Sequence, residues 1–446
     1  MNGEKIMSKK SEMTRRDFMG KCTAAGTGML AAGTKIFGMP GPQEAGKTQA
    51  AAAFTAGVDW DAVRADFPRA DKDPWLANAE THPFNVNVLH AIENYLQYRT
   101  LGPGEGRSSY TEEMQNGSKK MFADLIGAKP NEIAFTMSTT DGENSVISGI
   151  DLFHGGGNVV IDDLHFMASK FMYGQMKKQG LIELRVVHHK DWKIRIEDMA
   201  AAIDKNTRIV SMALVSNING YMHEAKAISD LARANGALVY GDIIQGVGNT
   251  PLDLRAMGID CAASSTYKWM MGDFGLGFLY VREDLQGTVV KQTRYGGAQI
   301  TGLTPDGEYI GANDASRYEG TTTMPYMPGI CAYHGLSYVT KLGVANIRAH
   351  AKKLTDRLQK EFPRLGFASI TPIDNPTPIV SFIAPDAKMK EAEEKLKKAF
   401  PKRIVSISHW QKTDEKGKTE NVTGMRIGVS VYNNDKDINA LLNALE

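Results

Sequence analysis

Val239-Tyr240-Gly241-Asp242-Ile243-Ile244-Gln245 and, some twenty residues on, Ser265-Thr266-Tyr267-Lys268-Trp269 are the two stretches that decide the fold. Each follows an apolar, β-prone run and turns polar where a strand should stop. Ala237–Tyr240 and Cys261–Ser265 are read as strands, with a third at Leu276–Val281. Toward the N-terminus, short apolar runs recur at Arg208–Val215, Leu184–His188, Asn158–Ile161 and Glu132–Thr136, separated by amphipathic stretches. One of these, Glu224 to Asn235, carries Ala227, Ile228, Leu231 and Ala232 on one face and stops at Gly236, where a helix C-terminus favours glycine. Strands alternating with helices predict an α/β fold with a mostly parallel sheet covered on both faces. A long helix from Gly329 to about Phe362, then shorter strands and helices, predict a smaller α+β C-terminal domain. The expected division is 58–325 for an N-terminal arm and large domain, and 326–446 for the small domain.

The chain has 446 residues, 42% hydrophobic and 23% charged, which is enough to bury a large core and excludes fibrous and disordered classes. Its 52 basic and 51 acidic side chains leave a formal charge of +1, so no nucleic acid or anionic membrane is expected as partner. The three cysteines, Cys22, Cys261 and Cys331, lie far apart without a C-x-x-C pair, which gives neither a disulfide framework nor a zinc site, and no metal is expected. Residues 1–53 differ from the rest. Thr14-Arg15-Arg16-Asp17-Phe18-Met19 leads into a mildly apolar segment from Cys22 to Gly38 and then a linker ending in the small residues Ala50 to Ala53. This resembles a twin-arginine signal, which implies recognition by the twin-arginine export machinery and a periplasmic location. The apolar part is too short and too rich in Gly, Thr and Ala to be a stable membrane anchor, and Cys22 precedes it, unlike a lipid-attachment cysteine.

In an open parallel sheet, ligands bind at the carboxyl ends of the strands. The residues expected there are Ser138-Thr139-Thr140-Asp141, His165-Phe166, Ser216-Asn217, Asp242 with Gln245, and Tyr267-Lys268. This set suits pyridoxal phosphate, which needs an amine to hold its aldehyde as an imine, an acid against its pyridine nitrogen, a phosphate cup and a stacking face. Lys268 is the candidate amine, Asp242 the acid, Phe166 the stacking ring, and Thr139 and Thr140, opening a helix near Asp141, the phosphate cup. Plainer readings stand beside these: Asp242 as a helix N-cap, Thr139 to Asp141 as a capping segment only, Lys268 as a surface lysine, and Arg426 as a surface ion pair. His165 is read as structural. Gly272-x-x-Gly275-x-Gly277 precedes a strand instead of opening a helix, so it is not a dinucleotide loop.

From about Trp75 to Glu446 the chain resembles the class V aminotransferase family, in the branch of cysteine desulfurases and isopenicillin N epimerase-like proteins. The resemblance rests on Asp242-x-x-Gln245, on Ser265-x-Tyr267-Lys268 with Gly275-x-Gly277-Phe278-Leu279-Tyr280, on Phe135-Thr136 through Asn144, and on Asn217. Arg317-x-Glu319-Gly320-Thr321 and Arg426, six residues before Tyr432, complete it. It implies a fold type I pyridoxal-phosphate enzyme acting on an amino acid, with Asp242 and Lys268 catalytic. It further implies cofactor contacts from Thr139, Thr140, Phe166, Asn217, Gln245, Ser265 and Tyr267, and a bidentate hold on the substrate carboxylate by Arg426. Thr321 would reach the partner's phosphate, which implies a homodimer. Tyr267 departs from the family histidine before the lysine, and Phe166 from a frequent His or Tyr, so proton transfer is expected to rest on Lys268. Cys331 lies in the expected long helix, and no cysteine falls between Ser406 and Arg426, so a desulfurase is not expected. Transamination is the leading expectation, with racemisation or elimination second and a non-catalytic binding protein of the same fold third. Glu80, Thr81 and His82, with a partner loop near Gly296, Gly297 and Gln299, are expected to shape the substrate pocket.

Overall fold

Seven strands make the large sheet: β1 Ile133–Thr136, β2 Asn158–Asp162, β3 Glu183–Val187, β4 Thr207–Ala213, β5 Leu238–Asp242, β6 Cys261–Ser265 and β7 Gly277–Val281. Their order is β1-β7-β6-β5-β4-β2-β3. All seven lie where the apolar runs predict them, with ends displaced by one or two residues. This is a computed structural model, and it describes residues 57–446 except 414–418; the arginine pair, Cys22 and the linker to Ala53 lie outside the described residues.

Strands β2 to β6 pair in parallel. β7 runs antiparallel to both β6 and β1. Its direction follows from the connection: residues 266–276 contain no helix, and a parallel return needs a crossover, usually helical. Side chains alternate across the sheet as a period of two demands. Val160, Val210, Val239, Ala262 and Phe278 enter one core, while Val159, Ile161, Ile209, Tyr240, Ala263 and Leu279 enter the other.

Ala225–Asn235 is helical and ends at Gly236 in the left-handed conformation (φ 81°), as expected from its amphipathic pattern. The helix Thr139–Gly149 packs against β6 so closely that a Cβ on Gly142 would stand 2.5 Å from that of Ala263. That contact sets the height of its first turn above the sheet. The single long helix expected from Gly329 to Phe362 is instead two, Tyr326–Leu342 and Val344–Glu361. Gly343, at φ 77°, breaks it, because a residue in that conformation ends the first helix and begins the second.

A second sheet is antiparallel, with strands Ala368–Ser369, Ile379–Ile383, Thr419–Gly428 and Ser406–Thr413 side by side in that order. Leu354, Leu358, Phe362, Met425, Ile427, Ile438 and Leu441 pack over it in a core of their own. The N-terminal arm threads this sheet. The Leu76 amide donates to the Ile404 carbonyl, the Gly428 amide donates back to the Leu76 carbonyl, and Ala77 bridges to Gly428.

Candidate active site

A cleft of about 100 Å³ opens at the carboxyl ends of β4, β5 and β6, lined by Thr139, Thr140, Phe166, Asn217, Asp242, Gln245, Ser265, Tyr267 and Lys268, with Ser138, Ala213, Val215 and Ile244 filling the remaining wall. Nine of the eleven residues expected to form a site therefore converge on one space. The topology does this: parallel strands all end at the same edge, and each delivers the residue that follows it.

Ser138 caps the helix Thr139–Gly149 by accepting from the Asp141 amide at 3.1 Å. Thr139 and Ser265 are interlocked. The Thr139 amide donates to Ser265 Oγ at 2.9 Å, and the Ser265 amide donates to Thr139 Oγ1 at 2.9 Å, which fixes the helix start to the end of β6. Thr140 then opens onto the cleft in the first turn, where helix amide groups and the helix dipole favour an anion. Asp141 turns away: Arg294 meets its carboxylate at 2.5 Å and the Thr136 hydroxyl at 2.6 Å. Burial works to raise this carboxyl, but the bonds from Thr136, Arg294 and the Met137 amide outweigh it and hold the group below its ordinary value. The capping reading and the anion-cradle reading of this segment are thus both compatible with one geometry.

Lys268 is 7% exposed. Burial, and next the like charge of Arg426, push its amine from 10.5 down to about 8, against the opposing pull of Asp242 and Glu80. It is no surface lysine. Asp242 is also buried, and desolvation raises its carboxyl to about 6 in spite of the Ile244 amide and the nearby Lys268. Tyr267 stacks on Phe274 with ring centroids 4.3 Å apart, and its ring faces Lys268 Nζ at 5.6 Å. Gln245 is braced: its amide donates to the Ala79 carbonyl, and its oxygen accepts from Trp269 Nε1, both at 2.9 Å. Part of its hydrogen-bonding capacity is therefore committed to holding the N-terminal arm against the Lys268 loop. The His82 amide, bonded to the Tyr267 carbonyl at 3.1 Å, adds a second tie.

Arg426 lies behind Asn217 and is 7% exposed, which excludes a surface ion pair. Its Nη1 donates to the Asn217 carbonyl at 2.6 Å and its Nη2 to Ser406 Oγ at 3.2 Å, while its Nε is buried without a partner among the described residues. Ser406 stands opposite Arg426 in the sheet register. Glu80 lies 3.7 Å from Arg426 Nη2, and Arg403 grips the same carboxylate from the solvent side. A buried guanidinium with an orphaned N–H is equipped to receive one more acceptor, such as a carboxylate.

Thr321 is not in this cleft. It is exposed and lines a separate one with Arg294 and Gly320. Gln299 is buried, and its side chain ties its own loop to the carbonyls of Arg294 and Arg317. His165 is buried beneath Phe166, accepting the Phe166 amide on Nδ1 at 2.7 Å. One residue that sequence reasoning missed is Glu143, a fully buried carboxyl behind the cleft floor. Its only signal in the sequence is a charged side chain among the small residues of the helix Thr139–Gly149.

The cleft fits pyridoxal phosphate on its own chemistry: a desolvated amine, a buried carboxyl across from it, a helix start for a phosphate and an aromatic wall. Comparison with known proteins agrees. The family described as Aminotransferase class-V matches residues 75–441. A probable cysteine desulfurase of Methanothermobacter thermautotrophicus is 30% identical over 305 residues, covering 66% of this chain and 74% of that protein. An uncharacterised aminotransferase of Bacillus subtilis is 28% identical over 288 residues, covering 65% and 75%. The apo structure of a cysteine desulfurase from Thermococcus onnurineus NA1 superposes with a TM-score of 0.72 at 23% identity, covering 86% of this chain and 96% of that one. Strand order, cleft and match together place the chain in the pyridoxal-phosphate-dependent class V aminotransferase family.

Proposed function

We propose that this protein is an aminotransferase that holds an amino acid by its carboxylate on Arg426 and moves its α-proton with Lys268. Pyridoxal phosphate, when bound, supplies an aldehyde that condenses with amines and a protonated ring that draws electrons from the substrate's α-carbon. In this reading Lys268 would hold that aldehyde, and its free amine would serve as the base that moves the α-proton. An amine near 8 is well matched to taking a proton at neutral pH and giving it back. With the cofactor bound, Asp242 would meet the ring nitrogen, Thr139, Thr140 and Ser265 would hold the phosphate, and Phe166 would pack against the ring. Asn217, Gln245 and Tyr267 shape the walls. Thr321 serves the cleft of a second copy, which makes the working form a homodimer. The arginine pair Arg15-Arg16 directs export to the periplasm, and twin-arginine export carries folded proteins, so the cofactor travels with the chain.

The observation that carries this reading is that Lys268 is the one amine lining the cleft among the described residues, with the non-titrating Phe166 on another wall. Sulfur transfer to a protein thiol is disfavoured because the cysteines of the described residues, Cys261 and Cys331, are both buried. Burial raises the Cys331 thiol to about 12, far from the thiolate that a sulfur acceptor requires. Elimination at a carbon–sulfur bond is the second reading, favoured by the relatives named as desulfurases. It uses the same Lys268 and Arg426 and releases the sulfur into solution.

Visible absorbance of the purified, cofactor-loaded protein during addition of L- and D-amino acids tests both. A band that disappears with an amino acid and returns with a keto acid establishes transamination. Release of sulfide, pyruvate and ammonia from cysteine, or of cysteine persulfide, pyruvate and ammonia from cystine, without such a return, establishes elimination. Lys268→Ala must abolish the resting band; an unchanged spectrum in that variant removes the site assignment.

A further inference from the structure

Glu143 is 1% exposed and sits in no ion pair with any described residue, yet three hydroxyl groups converge on it. Ser169 Oγ donates to Oε2 at 2.6 Å, and Tyr173 Oη and Ser211 Oγ donate to Oε1 at 2.9 and 2.8 Å. The direction of the Ser211 bond is set from His165. The Phe166 amide donates to His165 Nδ1, so in the neutral ring Nε2 carries the hydrogen and donates to Ser211 Oγ at 2.9 Å. Burial keeps His165 neutral, pushing it to about 4. Ser211 must then pass its own hydrogen to Glu143. Ser211 turns its hydrogen toward Glu143, and Ser169 and Tyr173 are placed to donate as well, so the site is built to hold this carboxyl ionised once the pH exceeds about 7. Retaining such a charge in a dry interior is costly unless something positive stands nearby.

We infer that Glu143 is a positioning residue for the cofactor: it places a second negative charge behind Asp242, and the two carboxylates together hold the proton on the ring nitrogen that Asp242 faces. The inference rests on the cofactor reading given above. Ser211, which bonds Glu143, stands two residues before Ala213, the register partner of Asp242; burial first, and then repulsion from Asp242, raise Glu143 to about 7 against the bonds from Ser169 and Ser211. The other groups facing Glu143 do not compete for the role. Tyr173, from the helix Met167–Lys178, and Tyr240, from β5, are both driven well above their ordinary range and stay neutral. His165, behind Ser211, is neutral as well. Lys268 stands near Asp242 and is engaged with the cofactor aldehyde in the loaded protein. The positive charge that compensates this pair is then the protonated ring itself.

The experiment uses the full chain loaded with pyridoxal phosphate labelled with 15N in the ring. The 15N resonance reports directly whether that nitrogen carries a proton, followed as pH is raised. In Glu143→Gln the pH at which the ring loses its proton should fall by about one unit, the scale expected from removing one nearby charge. Tyr173→Phe, which deletes one donor to the carboxylate while keeping the packed ring, should move it in the same direction by less, and decides the matter if Glu143→Gln does not fold. A loaded variant whose ring titration matches wild type, whatever its melting temperature, overturns the inference and leaves the cofactor reading standing. Wild-type protein that takes up no cofactor overturns both.

Discussion

Replacing Lys268 by methionine should stabilise the cofactor-free protein at neutral pH. The side chain keeps its length and loses its charge in a place where charge is costly. Its amine falls from 10.5 in the unfolded chain to about 8 in the fold, about 2.5 decades of proton affinity or ~3 kcal/mol. The sign follows from linkage. Between the folded and unfolded values the unfolded chain binds more protons, so stability rises with pH across that window. The penalty is fully present below about 8 and gone above 10.5. Lys268→Met should therefore gain up to ~3 kcal/mol at about pH 7 and close to nothing at about pH 10.5. Asp242 loses a neighbouring cation in the variant, which takes back part of the gain. Urea denaturation of cofactor-free protein at both pH values, read as a change in midpoint at constant slope, measures it. A variant no more stable than wild type at neutral pH, or one with the same gain at both pH values, would refute the reasoning.

Arg426→Lys keeps the charge but loses the planar fork, and should raise KM for the amino acid by about tenfold or more with a smaller change in kcat; steady-state kinetics over a range of donor concentrations decides, and an unchanged KM removes the carboxylate assignment. Gly142→Ala forces a Cβ to within 2.5 Å of Ala263, so it should cost about 1–3 kcal/mol in chemical denaturation and weaken cofactor retention by lifting the first turn of the helix that carries Thr139 and Thr140. Arg15→Lys with Arg16→Lys should leave the protein in the cytoplasm, active and loaded; fractionation of expressing cells that finds it still in the periplasm rejects the twin-arginine assignment. Cys331→Ser should leave any sulfide release from cysteine unchanged, since its thiol is buried away from the cleft; loss of that release would reinstate a protein persulfide.

The strands were legible because a parallel sheet buried on both faces needs short apolar runs, and little else in a soluble chain produces them at that spacing. The cleft followed for the same reason, since residues after the strands must share one edge. Other features turn on contacts between distant segments. The direction of β7 is not written in Gly277–Val281, whose side chains suit either orientation. The break at Gly343 hides in a helical pattern that continues on both sides of it. The tie from Gln245 to Ala79 and Trp269 depends on where the arm comes to rest, and the burial of Glu143 on how Ser211 and Tyr173 close over it. Arg426 could be singled out by spacing, but its orphaned Nε is visible only in three dimensions.

The threaded N-terminal arm has a consequence in time. Asn78 bonds to the Gly428 carbonyl and to Asn433 across separations of 350 and 355 residues, and Tyr432 returns a bond to Asn78. Such contacts close very long loops, and loop closure of that kind comes late in folding. A growing polypeptide emerging from the ribosome can assemble strands β1 to β7 and bring Ala79 and His82 to Gln245 and Tyr267, but the arm's bonds to Gly428, Ser430, Tyr432 and Asn433 form only once those residues are out. The wall that Ala79 and His82 brace is therefore fastened from both sides only late, when Ser430 meets the His82 ring.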